Sequence, residues 1–241
     1  MICVHAILLA AGRGLRLETA VSKPLLKINH KPIIIYCLEI LSGLAEIKDI
    51  TVVANAQNLK GIIRKVKDYK IKKIKNVVLG GKRRQDSVAC GLGKVDPAAD
   101  LVLIHDAARP CIDAAVVSSV IKQANRSGAA IVGVPVKSTI KKTSKASKRQ
   151  SIKGFLVKET LKRDNLWEIQ TPQVFQRDLI FKAYKNCKNI DVTDDASLVE
   201  RLGKKVSIVR GSYNNIKITT LEDLRLAEAI LKSRKLSRCI S

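Results

Sequence analysis

With 241 residues, 46% of them hydrophobic, the chain is long and apolar enough for one large α/β unit or two small ones, which excludes intrinsic disorder. Its 45 lysines and arginines against 21 acids give a net charge of +24, so anionic partners are expected. Only 3% of the residues are aromatic and no RNP-like cluster occurs, which disfavours a reader of single-stranded nucleic acid and leaves phosphorylated small molecules as the first expectation.

Short apolar runs recur along the chain: "VHAILLA" (4–10), "ITVVAN" (50–55), "NVVLG" (76–80), "LVLIH" (101–105) and "AAIVGVPV" (129–136). Their hydrophobicity is continuous rather than alternating, as in parallel strands covered on both faces. Between them "KPIIIYCLEILSGL", "AQNLKGIIRKVKDY", "QDSVACGLGKV" and "DAAVVSSVIKQANRSG" carry apolar residues at helical spacing, the last ending on Gly128 as a C-terminal cap. This βαβ repetition predicts a Rossmann-like, mostly parallel twisted sheet flanked by helices, with residues 1–241 forming a single unit.

From 137 to 158 the rhythm changes. "STIKKT" and "SIKGFLVK" alternate like strands around a polar tip, which predicts a protruding hairpin arm whose apolar face needs a second surface, such as another copy of the chain. Helices are expected again at 177–186, 194–202 and 221–234, with "KVSIVRG" and "NIKIT" as further strands and Trp167 in the core. The basic stretches 60–75, 141–150 and 232–238 alternate with apolar residues as solvated faces do.

Six cysteines, at 3, 37, 90, 111, 187 and 239, occur without C-x-x-C pairs or histidines at metal-ligand spacing. They read as reduced, mostly buried thiols of a cytoplasmic protein. No run approaches the ~18 apolar residues needed to cross a bilayer, and no basic stretch precedes the apolar start, so neither a membrane span nor a secretory signal is expected.

Ligands of open α/β sheets lie beyond the carboxyl ends of the strands, and the unusual residues collect there. After the first strand come Gly12, Gly14 and Arg16, then Lys23 in "VSKPLL". Neither G-x-G-x-x-G nor the Walker ending G-K-[ST] is present, so the loop is either a plain turn or a phosphate cradle of another kind. After the third strand, "GGKRRQDSV" sets two glycines before two arginines, with Asp86 or Ser87 as a helix cap. After the fourth, "HDAARP" offers Asp106 and Arg109, either an internal ion pair or a binding site, whereas His105 reads as a satisfied core or edge histidine rather than a general base. "DVTDDAS" reads as a helix cap through Thr193 or Asp194, and Lys217, inside the apolar "NNIKIT", either snorkels or meets an anion.

In order, "LLAAGRGLRL", "SKPLL", "GGKRRQDSV", "HDAARP", "TPQVF", "DVTDDAS" and "NNIKIT" resemble the 2-C-methyl-D-erythritol 4-phosphate cytidylyltransferases over nearly the whole chain, "HDAARP", "TPQVF" and "DVTDDAS" together being the more specific motifs. The resemblance implies transfer of CMP from CTP to a polyol phosphate with Mg²⁺ held mainly through the CTP phosphates, in a homodimer joined by the β-arm. It implies that Ala10, Ala11, Gly12 and Gly14 wrap the nucleotide, that Gly81, Arg84 and Ser87 hold cytidine, and that Arg16 and Lys23 stabilise the transition state. Asp106 would border the metal-bound triphosphate and the sugar phosphate, and Arg109, Thr139, Arg163, Thr171 and Lys217 would position the acceptor, some of them from a partner's arm. Two positions depart from the family pattern: Pro24 stands where glutamine is common and Lys82 where an acid is frequent. The related ribitol-5-phosphate cytidylyltransferases share much of the pattern, and "HDAARP" favours the methylerythritol family.

Overall fold

In the computed structural model, residues 2–12, 21–145, 154–187 and 190–240 are described, with side chains as far as 234. In chain order the elements are β1 (Val4–Leu9), β2 (Lys27–Ile28), β3 (Lys31–Pro32), α1 (Ile33–Gly43), β4 (Ile47–Ala54), α2 (Leu59–Asp68), β5 (Ile74–Leu79), α3 (Arg84–Leu92) and β6 (Leu101–Asp106). They continue with α4 (Ala114–Ser127), β7 (Ala129–Pro135), β8 (Lys141–Lys145), β9 (Phe155–Thr160), β10 (Trp167–Gln176), α5 (Arg177–Asn186), α6 (Ala196–Arg201), β11 (Ser207–Arg210) and α7 (Leu221–Ile240).

The main sheet has seven strands in the order β11-β7-β10-β6-β1-β4-β5. All neighbours are parallel except that β10 runs antiparallel to both β6 and β7. Side chains alternate between the faces: Val4, Ala6 and Leu8 pack with α1 and α4, whereas Ile7, Val102 and Ile104 pack with α3, α5 and α6. Burial on both sides explains the unbroken apolar runs of β1 and β6. Gly128 ends α4 at φ 82°, the left-handed conformation that a residue without Cβ adopts most cheaply.

From β1 the chain winds one way to β4 and β5, and β6 lies on the other side, so the loops leaving β1 and β6 diverge. Leu9 and Asp106, the last residues of those strands, are register partners. The resulting crevice is the topological switch point at which doubly wound sheets hold ligands.

Several expectations need correction. "NIKIT" is irregular: Ile218 N–H bonds to Ala108 O and the segment lies across the strand ends, with Ile216 and Ile218 both packed on the cluster of Ile28 and Ile33 and Lys217 between them exposed, so its alternation reflects one packed side without a sheet neighbour. Trp167 starts β10 and is only half-buried, because it pairs with Pro135 near the end of the sheet. The predicted helix 194–202 narrows to α6, where Asp194 accepts the Ser197 N–H as an N-terminal capping side chain. The short β2–β3 pair and β10 were not among the expected strands; β10 contains "TPQVF", whose polar residues face the site. Of five described cysteines, Cys37, Cys111 and Cys187 are buried, Cys3 is half-buried and Cys90 is exposed.

The hairpin is present as β8 paired antiparallel with β9, two residues longer on its return side than expected, while its tip lies outside the described residues. These two strands form a sheet of their own and leave Phe155 and Val157 69% and 60% exposed. Among the described residues no helix is long and apolar enough to cross a membrane.

Candidate active site

The crevice holds two adjoining cavities. The larger, about 770 Å³, is lined by Ala10, Ala11 and Gly12 after β1, Asn55 and Gln57 after β4, and Gly80, Gly81 and Ser87 around the start of α3. Lys23, Lys82, Arg83 and Arg84 supply its positive charge. At Gly80 an added Cβ would lie 2.6 Å from Ser87 Oγ and 2.9 Å from Ala11 Cβ, so the close meeting of these two loops requires glycine. Asp86, in the first turn of α3, accepts the Arg83 N–H at 3.1 Å and so fixes the helix start; Ser87 Oγ instead bonds to Arg83 O.

The second cavity, about 440 Å³, lies on the β10 side and is lined by Arg109, Gln170, Thr171, Gln173, Thr193 and Asp194 among others. Arg84, Asp106 and Lys217 belong to the walls of both cavities. Lys217 Nζ donates to Asp106 Oδ2 at 2.6 Å, and Arg84 Nε donates to Asp106 Oδ1 at 3.4 Å. The lysine therefore meets an anion rather than snorkelling. Burial alone would raise the Asp106 carboxyl, but Arg84, Lys217 and Arg109 overcome it and hold the group well below the usual carboxylate range.

Arg109 does not form the internal pair with Asp106 considered from "HDAARP"; its Nη1 donates to Asn215 O at 2.7 Å. Its Nε is buried without a hydrogen-bond partner among the described residues, a costly arrangement that an incoming anion would relieve. His105 behaves as expected: it is fully buried, its Nδ1 shares a hydrogen bond with Thr171 Oγ1 at 2.9 Å, and burial pushes its pKa down to about 4. The same Thr171 hydroxyl accepts the Asp106 N–H, so "TPQVF" orients "HDAARP".

Arg84 is held from behind. Its Nη2 donates to Asp195 Oδ2 at 2.8 Å, and Tyr184 donates to Asp195 Oδ1 at 2.6 Å in a buried cluster of α3, α5 and α6. Gln173 accepts the N–H groups of Asp195 and Ala196 and donates to Asp194, tying α6 to β10. Asp195, Tyr184 and Gln173 were not singled out from sequence, although the acidic "DVTDDAS" and a glutamine inside an apolar strand were their signals.

The crevice thus brings together Ala10, Ala11, Gly12, Lys23, Gly81, Arg84, Ser87, Asp106, Arg109, Thr171 and Lys217. Thr139 and Arg163 do not line either cavity; they are exposed at the base of the arm, where Arg163 Nη1 donates to Lys137 O. Gly14 and Arg16 lie outside the described residues. Asn55 and Gln57, at the carboxyl end of β4, join the nucleotide-sized cavity from a loop that carried no motif.

A glycine-lined crevice at the switch point, continuous through an ionised carboxylate and two cations with a second polar compartment, defines a nucleotidyltransferase of the doubly wound α/β class. A model of the family IspD: 2-C-methyl-D-erythritol 4-phosphate cytidylyltransferase matches residues 4–233, and the chain belongs to that family. The 2-C-methyl-D-erythritol 4-phosphate cytidylyltransferase of Shouchella clausii is 43% identical over 232 residues, covering 95% of this chain and 97% of the relative. That of Clostridium novyi is 42% identical over 233 residues, with 95% and 97% covered. The crystal structure of 4-diphosphocytidyl-2C-methyl-D-erythritol synthase from Anaerococcus prevotii is similar with a TM-score of 0.81 at 31% identity, covering 96% of each chain.

Proposed function

We propose that CTP occupies the larger cavity and 2-C-methyl-D-erythritol 4-phosphate the smaller, and that CMP passes between them beside Asp106. The observation carrying this assignment is the wall of Arg84, Asp106 and Lys217 common to both cavities. An oxygen of the acceptor's phosphate attacks the α-phosphorus of CTP, and the bond to the bridging oxygen breaks. Pyrophosphate leaves with the electron pair, and the product is 4-diphosphocytidyl-2-C-methyl-D-erythritol.

This reaction needs no general base, since a phosphate monoester's second pKa near ~6 leaves the nucleophile largely dianionic at neutral pH. Repulsion is the larger obstacle: one pair of unit charges ~4 Å apart costs about 4 kcal/mol at an effective dielectric of 20. Lys23, with its Nζ 3.0 Å from Ile218 O, stands where the triphosphate would lie, and Arg16 belongs to the same loop. Both would stabilise the charge that grows on the five-coordinate phosphorus.

Ala10, Ala11, Gly12 and Gly14 would wrap the nucleotide, with Gly81 and Ser87 beside cytidine and Arg84 braced against Asp106. Thr171, Arg109 and Lys217 would hold the acceptor, and the unpartnered Arg109 Nε supports an anionic ligand there. The donor set suits Mg²⁺: Asp106 is an ionised carboxylate, and no group of three or more metal-ligating side chains occurs among the described residues. The ion would therefore rest mainly on the triphosphate, with Asp106 as its protein neighbour. When bound, Mg²⁺ neutralises phosphate charge and favours pyrophosphate as a leaving group.

The exposed Phe155 and Val157 support a homodimer in which the arm packs against a second copy. Thr139 and Arg163 would then serve the partner's acceptor cavity. Sedimentation equilibrium tests the dimer, with a monomer at micromolar concentration contradicting it. For the activity, pyrophosphate release is expected only when CTP, Mg²⁺ and methylerythritol phosphate are all supplied. Equal turnover of ribitol 5-phosphate would overturn the acceptor assignment.

A further inference from the structure

Asn58 is fully buried and does not line the nucleotide cavity, yet its side chain touches Ala10, which does, and Ser22, the neighbour of Lys23, which also does. Nδ2 donates to Ala10 O at 2.9 Å, on the strand side, and to Ser22 Oγ at 3.0 Å, immediately before Lys23. Oδ1 accepts the Asn55 N–H at 2.9 Å, so both ends of the amide are engaged and its orientation is fixed. Asn55 adds a parallel tie, donating from Nδ2 to Ala11 O at 3.2 Å.

We infer that Asn58 is a positioning residue for transfer: by joining Ala10 to Ser22 it ties the end of β1 to the turn that carries Lys23 and sets Lys23 against the triphosphate. This deepens the reading of the larger cavity as the CTP site and rests on it. The physical reason is entropic. A loop joined only by its flanking strand and turn leaves Lys23 free to sample positions, whereas fixing both ends prepays that ordering before substrate arrives. The turn carrying Lys23 is itself short: Leu25 N–H bonds to Ser22 O and Leu26 N–H to Lys23 O. Ser22 is therefore where a clamp from α2 steers the lysine most directly. Asn58 stands just before the first residue of α2, so the helix serves as the rigid anchor.

A double-mutant cycle tests the clamp. Ser22→Ala, at a half-buried position where the fold tolerates a lost hydroxyl, is expected to lower kcat about fivefold, as one hydrogen bond's worth of positioning. The KM for the acceptor should stay unchanged, and Ser22→Thr should restore most of the rate. Asn58→Ala should lower kcat at least as much, and adding Ser22→Ala to it should cost nothing more, because the shared contact is already gone. In the same variants without substrates, hydrogen exchange at the Leu25 and Leu26 amides should quicken. Wild-type kcat in Ser22→Ala, fully additive losses, or unchanged exchange would each overturn the clamp. If the unmodified chain released no pyrophosphate from CTP and methylerythritol phosphate, the functional reading would fall, while the exchange rates would still decide whether Asn58 holds the turn.

Discussion

Lys217 Nζ lies 2.6 Å from Asp106 Oδ2, although 111 residues separate them, and this pair forms the partition between the two cavities. Among the described residues, removing the lysine leaves Asp106 paired with Arg84 and takes away one of the two cations in this wall. Lys217→Ala is therefore expected to lower kcat/KM for methylerythritol phosphate about a hundredfold, with a smaller change for CTP. Stopped-time pyrophosphate assays with one substrate saturating check it, and a loss confined to CTP would contradict the assignment.

In the proposed reaction Lys23 would contribute charge chiefly where negative charge develops. Lys23→Ala should reduce kcat by roughly 10²- to 10³-fold with a modest effect on CTP binding, the pattern for a group used in the transition state. Equilibrium titration with CTP beside turnover measurements separates the two effects. A variant with wild-type turnover would remove Lys23 from the mechanism.

Much of this site was legible before any coordinates. Continuous apolar runs located five strands of the main sheet, four of them buried on both faces, where no room is left for polar alternation, and the fifth, β5, a half-buried edge strand. Glycines and cations at the carboxyl ends of those strands pointed to the crevice, and Lys217 was conspicuous because a lysine in an apolar run needs an anion nearby. What the chain did not disclose was pairing at long range. Asp195 merely adjoined the expected caps Thr193 and Asp194, and only folding brings it against Arg84 and Tyr184. Asn58 was one undistinguished residue of the helical stretch "AQNLKGIIRKVKDY", since its ties to Ala10 and Ser22 depend on how α2 docks beside β1. "NIKIT" misled for the converse reason: its isoleucines pack on a single cluster while Lys217 turns to Asp106, an alternation that needs no strand.

His105 makes stability depend on pH. In the unfolded chain its imidazole takes a proton near pH ~6.5, whereas in the native chain burial delays this to about 4. Between those values the unfolded state binds more protons, so stability is complete above the window and is lost as pH falls through it, by about 3 kcal/mol. The depressed carboxyl of Asp106 acts in the same direction at lower pH, its contribution present above the unfolded carboxylate pKa and lost as pH falls further. Urea unfolding at pH 7.5 and pH 5 measures the effect. His105→Asn should flatten the difference, and an unchanged pH dependence in that variant would place its source elsewhere.

The division of the crevice into a nucleotide side and an acceptor side is tested most directly by initial-velocity kinetics on Arg109→Ala, because Arg109 lines the smaller cavity alone. The KM for methylerythritol phosphate should rise about tenfold or more while that for CTP stays within about twofold. A raised KM for CTP with that for the acceptor unaltered would contradict the account.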